Sequence, residues 1–331
     1  MSNSVARKVT PQLWHTDRYG DYVSPVRRLE PGDIDHVVES VAVRFATDAA
    51  RNSLVNPVIS HEGLAEAFAS TNDATWVAER DGHITGHLHG ALLENSDHGR
   101  GIWVGPDGVS FDDVDTLAEL YGEAGTRWIG EGALEHYVWT LDHPDVTGPW
   151  YDMGFARMHQ RGVLVLDVPR RALLAEGYSI RRGGADDLDL AVELDAELDA
   201  AQHLGPSFSI GHDHSSKRDD LLEALEDPEV HHYVIERDGV GVAQCLTFPL
   251  PPIRGSFDDT LHLSAVTVRE GHRGRGIATA MVDIALNDAS AAGFGHVETN
   301  WRVTNRRAAN HWRHYGFTPT YVRLHRTIGT F

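Results

Sequence analysis

A chain of 331 residues, 41% hydrophobic and 24% charged, holds enough apolar material for two cores of about 150 residues each and is not a disordered chain. Its 29 Lys+Arg against 49 Asp+Glu leave a net charge of −20 with neutral histidines, which argues against nucleic acid or an anionic membrane surface as a partner. A single cysteine, Cys245 in the apolar stretch AQCLTF, excludes an internal disulfide framework and multi-cysteine metal sites. No segment has the pattern of a signal peptide or a membrane span, so the expected location is the cytoplasm.

In chain order, VRRLEPGDIDHVVESV from Val26 predicts a short strand, an acidic helix start and an amphipathic helix with the stripe Ile34, Val37, Val38 and Val41. WVAERDGHITGHLHG from Trp76 predicts two strands joined at Asp81-Gly82, the strongest short hairpin signal. Trp139, His143, Trp150 and Gly154-Phe155 then span a strand and a helix, and the apolar strand VLVLDV closes this part of the chain.

The same order begins again. IRRGGADDLDLAVELD from Ile180 gives a strand and a helix with Leu190, Leu194 and Leu198, and YVIERDGVGVAQCLT from Tyr233 gives a second hairpin at Asp238-Gly239. Trp301, Asn305, Trp312 and Gly316-Phe317 repeat the closing block. The hairpins lie 157 residues apart (233 − 76) and the closing blocks 162 (317 − 155). Three matched blocks in one order indicate tandem duplication, with domains at 1–170 and 171–331 and a joint near Pro169 to Gly177. The adjacent antiparallel strands predict a mixed α/β fold with a central meander, not a doubly wound sheet. His212-x-His214 and His231-His232 lack a spaced third ligand; they are expected in solvated loops, and no metal is expected.

In the second copy, LHLSAVTV (Leu261 to Val268) reads as a buried strand, and Ile277, Met281 and Ile284 fall at i, i+4 and i+7 of a helix. Between them stands Arg273-Gly274-Arg275-Gly276. Glycines let successive N–H groups point inward, and a helix start adds unpaired donors and its positive dipole end, each such interaction with an anion being worth roughly 0.3–2 kcal/mol. Arg269 and His272 add positive charge. Read alone, the turn is a tight strand-to-helix connection before it is a binding loop.

The pattern Arg273-x-x-Gly276-x-Ala278, followed by Asn305-x-x-Ala308-x-x-x-Trp312-x-x-x-Gly316-Phe317, resembles the GNAT family of acyl-CoA-dependent N-acetyltransferases. The resemblance implies two tandem GNAT-like domains with acetyl-CoA as co-substrate. It implies a V-shaped opening between two central parallel strands, with the backbone of Val266 and Val268 pairing with pantetheine. The diphosphate would rest on the N–H groups of Arg273, Gly274, Arg275, Gly276, Ile277 and Ala278, and Asn305 would stand near the pantetheine or thioester. In the first copy Phe111, Val114 and Thr116 take the places of Arg273, Gly276 and Ala278, and Asp112, Asp113 and Asp115 oppose an anion. The working site is therefore expected in the second half.

The resemblance also suggests proton-transfer groups. In several family members a glutamate eleven residues ahead of the motif acts as general base; here that residue is His262, whose reference pKa near 6.5 leaves it neutral and base-competent. A packing role at the strand end is the alternative. Ser264, on the same strand face, is a candidate to hold a bridging water. A tyrosine commonly protonates the departing thiolate, but Trp312 stands there, so Tyr315 is the nearest candidate, against a core role on its helix face. Glu298 and Asn300 could face the acceptor. The expected acceptor is the amine of a small molecule, amino sugar, amino acid or peptide, met by loops around residues 200–214. A non-catalytic acyl-CoA-binding regulatory protein and a mycothiol-synthase-like enzyme are the competing readings, and a homodimer stays open beside an internal pseudo-dimer.

Overall fold

The computed structural model describes residues 25–96, 99–209, 214–250 and 255–329. The first half runs β1 (Val26–Arg28), α1 (Ile34–Arg51), α2 (His61–Ser70), β2 (Thr75–Arg80), β3 (His83–His89), β4 (Ala91–Ser96), β5 (Gly99–Val104), β6 (Val109–Phe111), α3 (Val114–Gly130), β7 (Glu135–Leu141), α4 (Pro144–Asp152) and β8 (Ala156–Val165). The second runs β9 (Tyr178–Arg182), α5 (Leu188–His203), α6 (His214–Glu226), β10 (His231–Arg237), β11 (Val240–Pro249), β12 (Thr260–Val268), α7 (Ile277–Ala291), β13 (His296–Arg302), α8 (Arg306–Tyr315) and β14 (Thr318–Thr327).

The repeated sequence blocks become repeated structure. Asp81-Gly82 and Asp238-Gly239 all have positive φ, between 52° and 78°, which is the two-residue hairpin turn that matches strand twist. They join β2 to β3 and β10 to β11. Val37, Val38 and Val41 of α1 are buried with Phe45, and Ala191 and Leu194 of α5 play the same part. His143 and Asn305 cap α4 and α8.

The copies differ in their long strands. β11 runs unbroken for 10 residues, whereas its counterpart is divided into β3 and β4 at Gly90. A side chain at Gly90 would meet the Trp128 ring at 2.5 Å, so the chain passes the ring only as glycine. The counterpart of β12 is likewise divided into β5 and β6 by the turn at 105–108.

A four-stranded sheet, β1-β2-β3-β6, stands apart from a ten-stranded sheet, β4-β5-β7-β14-β8-β13-β12-β11-β10-β9. Among the described residues, only β5 with β7 and β12 with β13 are parallel pairs. The two halves trade their last strands: β8 of the first pairs with β13 of the second, β14 of the second pairs with β7 of the first, and β8 and β14 pair with each other. One continuous sheet therefore crosses both copies.

Two core clusters serve the first half, with Val322 and Leu324 or Tyr321 of β14 packed into them. A third packs α7 and α8 on the second half's strands, and a smaller one lies under α5 on the opposite face. Cys245 is fully buried on β11, and burial pushes its thiol pKa up. His231 and His232 correct the sequence expectation: they open β10 and do not lie in a loop. His232 is 2% exposed, and its Nε2–H donates to Gln244 Oε1 at 3.1 Å. The backbone of Gly183 passes so near that a Cβ there would stand 2.3 Å from His232 Nδ1. His212 lies outside the described residues. Among the described residues no helix is long and apolar enough to cross a membrane.

Candidate active site

β12 and β13 begin side by side, Thr260 opposite His296 and His262 opposite Glu298, and their pairing ends there. β12 goes on pairing with β11 as far as Val268, through an irregularity at Ala265, whose φ is 51°. A left-handed alanine is strained, and such strain gathers at functional positions. Past His262 the two parallel strands splay. The edge of β12 from Ala265 to Val268, carrying Val266 and Val268, faces no neighbouring strand, so an extended ligand could pair with it.

The turn beyond β12 leads into α7. Gly276 is the N-cap of α7 in the left-handed conformation, with no side chain capping the helix, and Gly274 shares its φ of +74°. A Cβ at either glycine would meet nothing within 4 Å; glycine is needed for the backbone angle and leaves open space above the loop. Arg273 N–H donates to Glu270 O and Ala280 N–H to Gly276 O. Among the described residues, the N–H groups of 274–279 have no backbone or side-chain acceptor. A helix leaves its first donors unpaired; here no described residue meets them.

The corresponding helix start in the first half is closed. Asp113, not Val114, is the counterpart of Gly276: it is the N-cap of α3, its Oδ1 accepting from Thr116 N–H at 2.7 Å. Arg80 adds a bond to Asp113 Oδ2 at 3.3 Å. That carboxylate stands where an anion would. The first half does open, with a cleft of about 500 Å³ between α1, β6 and the start of α4, where Arg44 and Arg51 pair with Asp48 and Asp145, and Glu39 and Asp112 also line it.

The cationic side chains around the second-half loop divide. Arg269 is held by Glu193 at 2.6 Å and Glu197 at 3.2 Å, both on α5. Arg273 Nε donates to Val268 O at 2.8 Å, and His272 Nδ1 is bonded to the Tyr178 hydroxyl at 2.9 Å. Arg275 is exposed and makes no ion pair among the described residues. Ile277 is core, 1% exposed, so only its N–H is available; Ala278 is half-buried. Asn305 Oδ1 accepts from Ala308 N–H at 3.2 Å, which fixes the start of α8.

His262 and Ser264 point away from α7, because Leu261 and Leu263 between them enter the α7 core. Both are half-buried, and His262 packs on Phe248 with ring centroids 5.1 Å apart. Its Nδ1 is closed to solvent and without a partner. Burial, with the nearby Arg161 guanidinium second, pushes its pKa down to about 4. The residue is neutral, as expected, but much less basic than the reference imidazole.

Glu298, suggested by the sequence as an acceptor contact, belongs to a buried network. It pairs with Arg161 of β8 at 3.1 Å and accepts from Ser256 Oγ at 2.8 Å. Asn300, two residues on, is exposed. Arg161, which sequence reasoning missed, enters this wall through the strand exchange and lies over the rings of Trp139 and Tyr321, at 5.0 and 5.4 Å. Its strand, ARMHQRGVLV, is already basic and polar around it, with Arg157, His159 and Gln160, so nothing local set it apart.

Tyr315 is placed elsewhere. Its hydroxyl donates to Asp283 Oδ1 of α7 in a short hydrogen bond, and burial and that carboxylate push its pKa up. A phenol held this way is poorly suited to protonate a thiolate, and it faces α7 and not the splayed strands. Trp312 is buried in the core. Above the splay, the last turn of α5 and the chain after it reach toward the end of β13: Arg302 Nε donates to Gln202 Oε1 at 2.7 Å and Thr304 Oγ1 to Ser207 Oγ at 3.1 Å. Leu204 and Phe208 in that loop are exposed.

Residues 198–317 match the model of the Acetyltransferase (GNAT) family. The chain is similar in structure to a GCN5-related N-acetyltransferase from Sphaerobacter thermophilus, at 18% identity and a TM-score of 0.65, over 92% of this chain and 96% of that one. It is also similar to a tandem GNAT protein from the clavulanic acid biosynthesis pathway, at 16% identity and a TM-score of 0.54, over 92% of this chain and 99% of that one. At these identities the likeness speaks for the fold. No curated protein matches the chain in sequence.

Proposed function

We propose, from the match of residues 198–317 to the Acetyltransferase (GNAT) family, that the protein transfers acetyl from acetyl-CoA to a primary amine at the splay of β12 and β13. One observation carries the assignment to this half: the start of α7 offers unmatched N–H groups over open space, whereas Asp113 fills the start of α3.

Acetyl-CoA supplies an acyl group already activated as a thioester. The N–H groups of 274–278 hold the diphosphate, with the helix dipole behind them and Arg275 free to add charge. The open edge of β12 aligns the pantetheine arm, with Val266 and Val268 along it. Asn305 sets the α8 start beside that arm. On the opposite face, His262 and Ser264 meet the amine.

With Nδ1 sealed, His262 Nε2 is the nitrogen within reach of an acceptor. An imidazole whose conjugate acid has a pKa of about 4 does not deprotonate a free ammonium of pKa near 10.4. Its task is the later proton, on a nitrogen made acidic by bonding to the acyl carbon, taken directly or through a water on Ser264. The amine must therefore arrive neutral. No protein acid is required at the sulfur, since water can protonate a thiolate of ordinary acidity.

Calorimetry with acetyl-CoA, followed by thiol release with a panel of small amines, amino acids and peptides, tests the proposal. Binding and turnover on at least one acceptor are expected. Binding without turnover on any would replace the enzyme with an acyl-CoA sensor, and no binding would remove both.

A further inference from the structure

His262 and Ser264 share a face of the sheet with α5, which packs on β11 and β12. An amine arriving there as an ammonium needs a carboxylate to replace the water it gives up. The strands offer one acid. β8, β11 and β12 carry none, and β13 carries Glu298 alone, which is engaged by Arg161 at 3.1 Å and by the Ser256 hydroxyl at 2.8 Å. α5 is strongly acidic, yet its four acids from Glu193 to Asp199 are engaged too. Arg269 holds Glu193 at 2.6 Å and Glu197 at 3.2 Å. Lys217 of α6, one of two lysines in the chain, holds Asp195 at 2.6 Å and Asp199 at 2.7 Å. In a protein of net charge −20, the acids named on this face already have their cations, and the charge that His262 feels is the positive one of Arg161.

Apolar rings stand where an anion is lacking. Phe248 packs on His262, and the loop after α5 exposes Leu204 and Phe208, at 69% and 75%. That loop is fastened. Thr304 Oγ1 at the end of β13 donates to Ser207 Oγ, while Phe208 N–H donates to Leu204 O and Ser209 N–H to Gln202 O, both at 3.1 Å. Phe208 has a φ of 45°, a strained conformation for a bulky residue. A large ring kept in water by a tethered, strained loop is suited to meet another ring.

We propose that the acceptor is an aromatic amine, uncharged at pH 7, whose ring lies against Phe208 while its nitrogen meets His262. The inference rests on the reading of the β12–β13 splay as the transfer site. The nitrogen lone pair forms the bond to the acyl carbon, and the carbon–sulfur bond breaks with its electron pair leaving on sulfur. The proton shed by the nitrogen passes to His262 Nε2 and on to water, and water protonates the thiolate, so amine and thioester become amide and thiol. An alkylamine, with a pKa near 10.4, reaches the same place only by shedding its proton in bulk water first.

The test follows thiol release from acetyl-CoA by the full chain with aniline, benzylamine, cyclohexylamine and methoxyamine, in wild type and Phe208→Ala, with thermal melts to verify folding. At pH 7 the KM for aniline should lie at least tenfold below those for benzylamine and cyclohexylamine, which are almost wholly protonated there. From pH 7 to 8 the KM for benzylamine should fall about tenfold as its neutral form grows, while that for aniline stays level. Phe208→Ala should raise the KM for aniline severalfold and leave the KM for methoxyamine, which is neutral but has no ring, and the Kd of acetyl-CoA within about twofold. A KM for benzylamine or cyclohexylamine at or below that for aniline at pH 7, or a KM for aniline unmoved in Phe208→Ala, overturns the proposal and leaves the transferase reading standing. Turnover with none of the four, but with an amino acid or peptide, does the same. Turnover with no amine at all removes the two together.

Discussion

Arg161, on the last strand of the first half, and Glu298, on a central strand of the second, form an ion pair at 3.1 Å with side chains only 8% and 4% exposed. Each charge has left water for the other, and the Arg161 guanidinium is further walled by Trp139 and Tyr321. Removing one partner of such a pair strands the other, at a cost of about 3–5 kcal/mol, whereas replacing both with apolar residues is often neutral or better. Arg161→Met and Glu298→Leu, each alone, should therefore lower stability by about that amount, and Arg161→Met/Glu298→Leu should recover most of the loss. Chemical denaturation of the four members of the cycle measures it; additive effects would show that the pair is not coupled.

The same guanidinium bears on His262. Since its pKa lies at about 4, His262 keeps its base form down to that pH and loses it below. The acidic limb due to His262 in kcat/KM should lie near pH 4, not 6.5. Arg161→Met, by removing a positive charge that opposes the imidazolium, should move the limb upward, and His262→Ala should abolish it. A limb near 6.5 that survives His262→Ala would assign the proton transfer elsewhere.

Gly276→Ala places a methyl group over the unmatched donors and forces a left-handed alanine, at about 1–2 kcal/mol of strain. Acetyl-CoA binding should weaken at least tenfold while the melting temperature falls by only a few degrees. Unaltered affinity would mean the anion does not sit there.

Asp113→Ala is the matching control. Loss of an N-cap costs roughly 0.5–2 kcal/mol, so stability should drop by about that much with acetyl-CoA affinity unchanged. A change in affinity would bring the first half into co-substrate binding.

His87 carries a pH effect on stability. Its Nε2–H donates to Asp107 O at 3.1 Å and its Nδ1 accepts from the Ser110 hydroxyl at 2.7 Å, with burial holding its pKa down to about 3. Between that pH and the unfolded value near 6.5, the unfolded chain binds the extra proton. Stability is then full above 6.5 and declines as pH falls, by at most about 1.4 kcal/mol per pH unit for this group. Thermal melts from pH 7 to 5 should show the decline, and His87→Gln should flatten part of it. An identical slope in the variant would assign the effect to other groups.

Periodicity and turn chemistry made much of this legible. The two Asp-Gly hairpins, the α1 stripe and the start of α7 at Ile277 are local events, and local sequence specifies them. The trade of β8 and β14 is not local: VLVLDV reads as a final strand whichever sheet it joins. Arg161 and Glu298 meet only through that trade, so neither one's sequence context announces the other. Asp113 was misplaced by one position because the repeats drift in spacing, and a cap is recognised by geometry more surely than by offset. His232 looked like half of a polar pair and proved to be core because Gln244 and Gly183 accommodate it.

The exchanged strands also bear on how the molecule is made. β7 is complete by residue 141, yet its neighbour β14 spans Thr318–Thr327 and leaves the ribosome long after it. At some 5–20 residues per second, the nascent amino-terminal portion waits on the order of ten seconds or more with one sheet margin bare. Synthesis thus imposes an interval in which chaperone shielding, or an intruding strand from another nascent chain, competes with the proper closing segment.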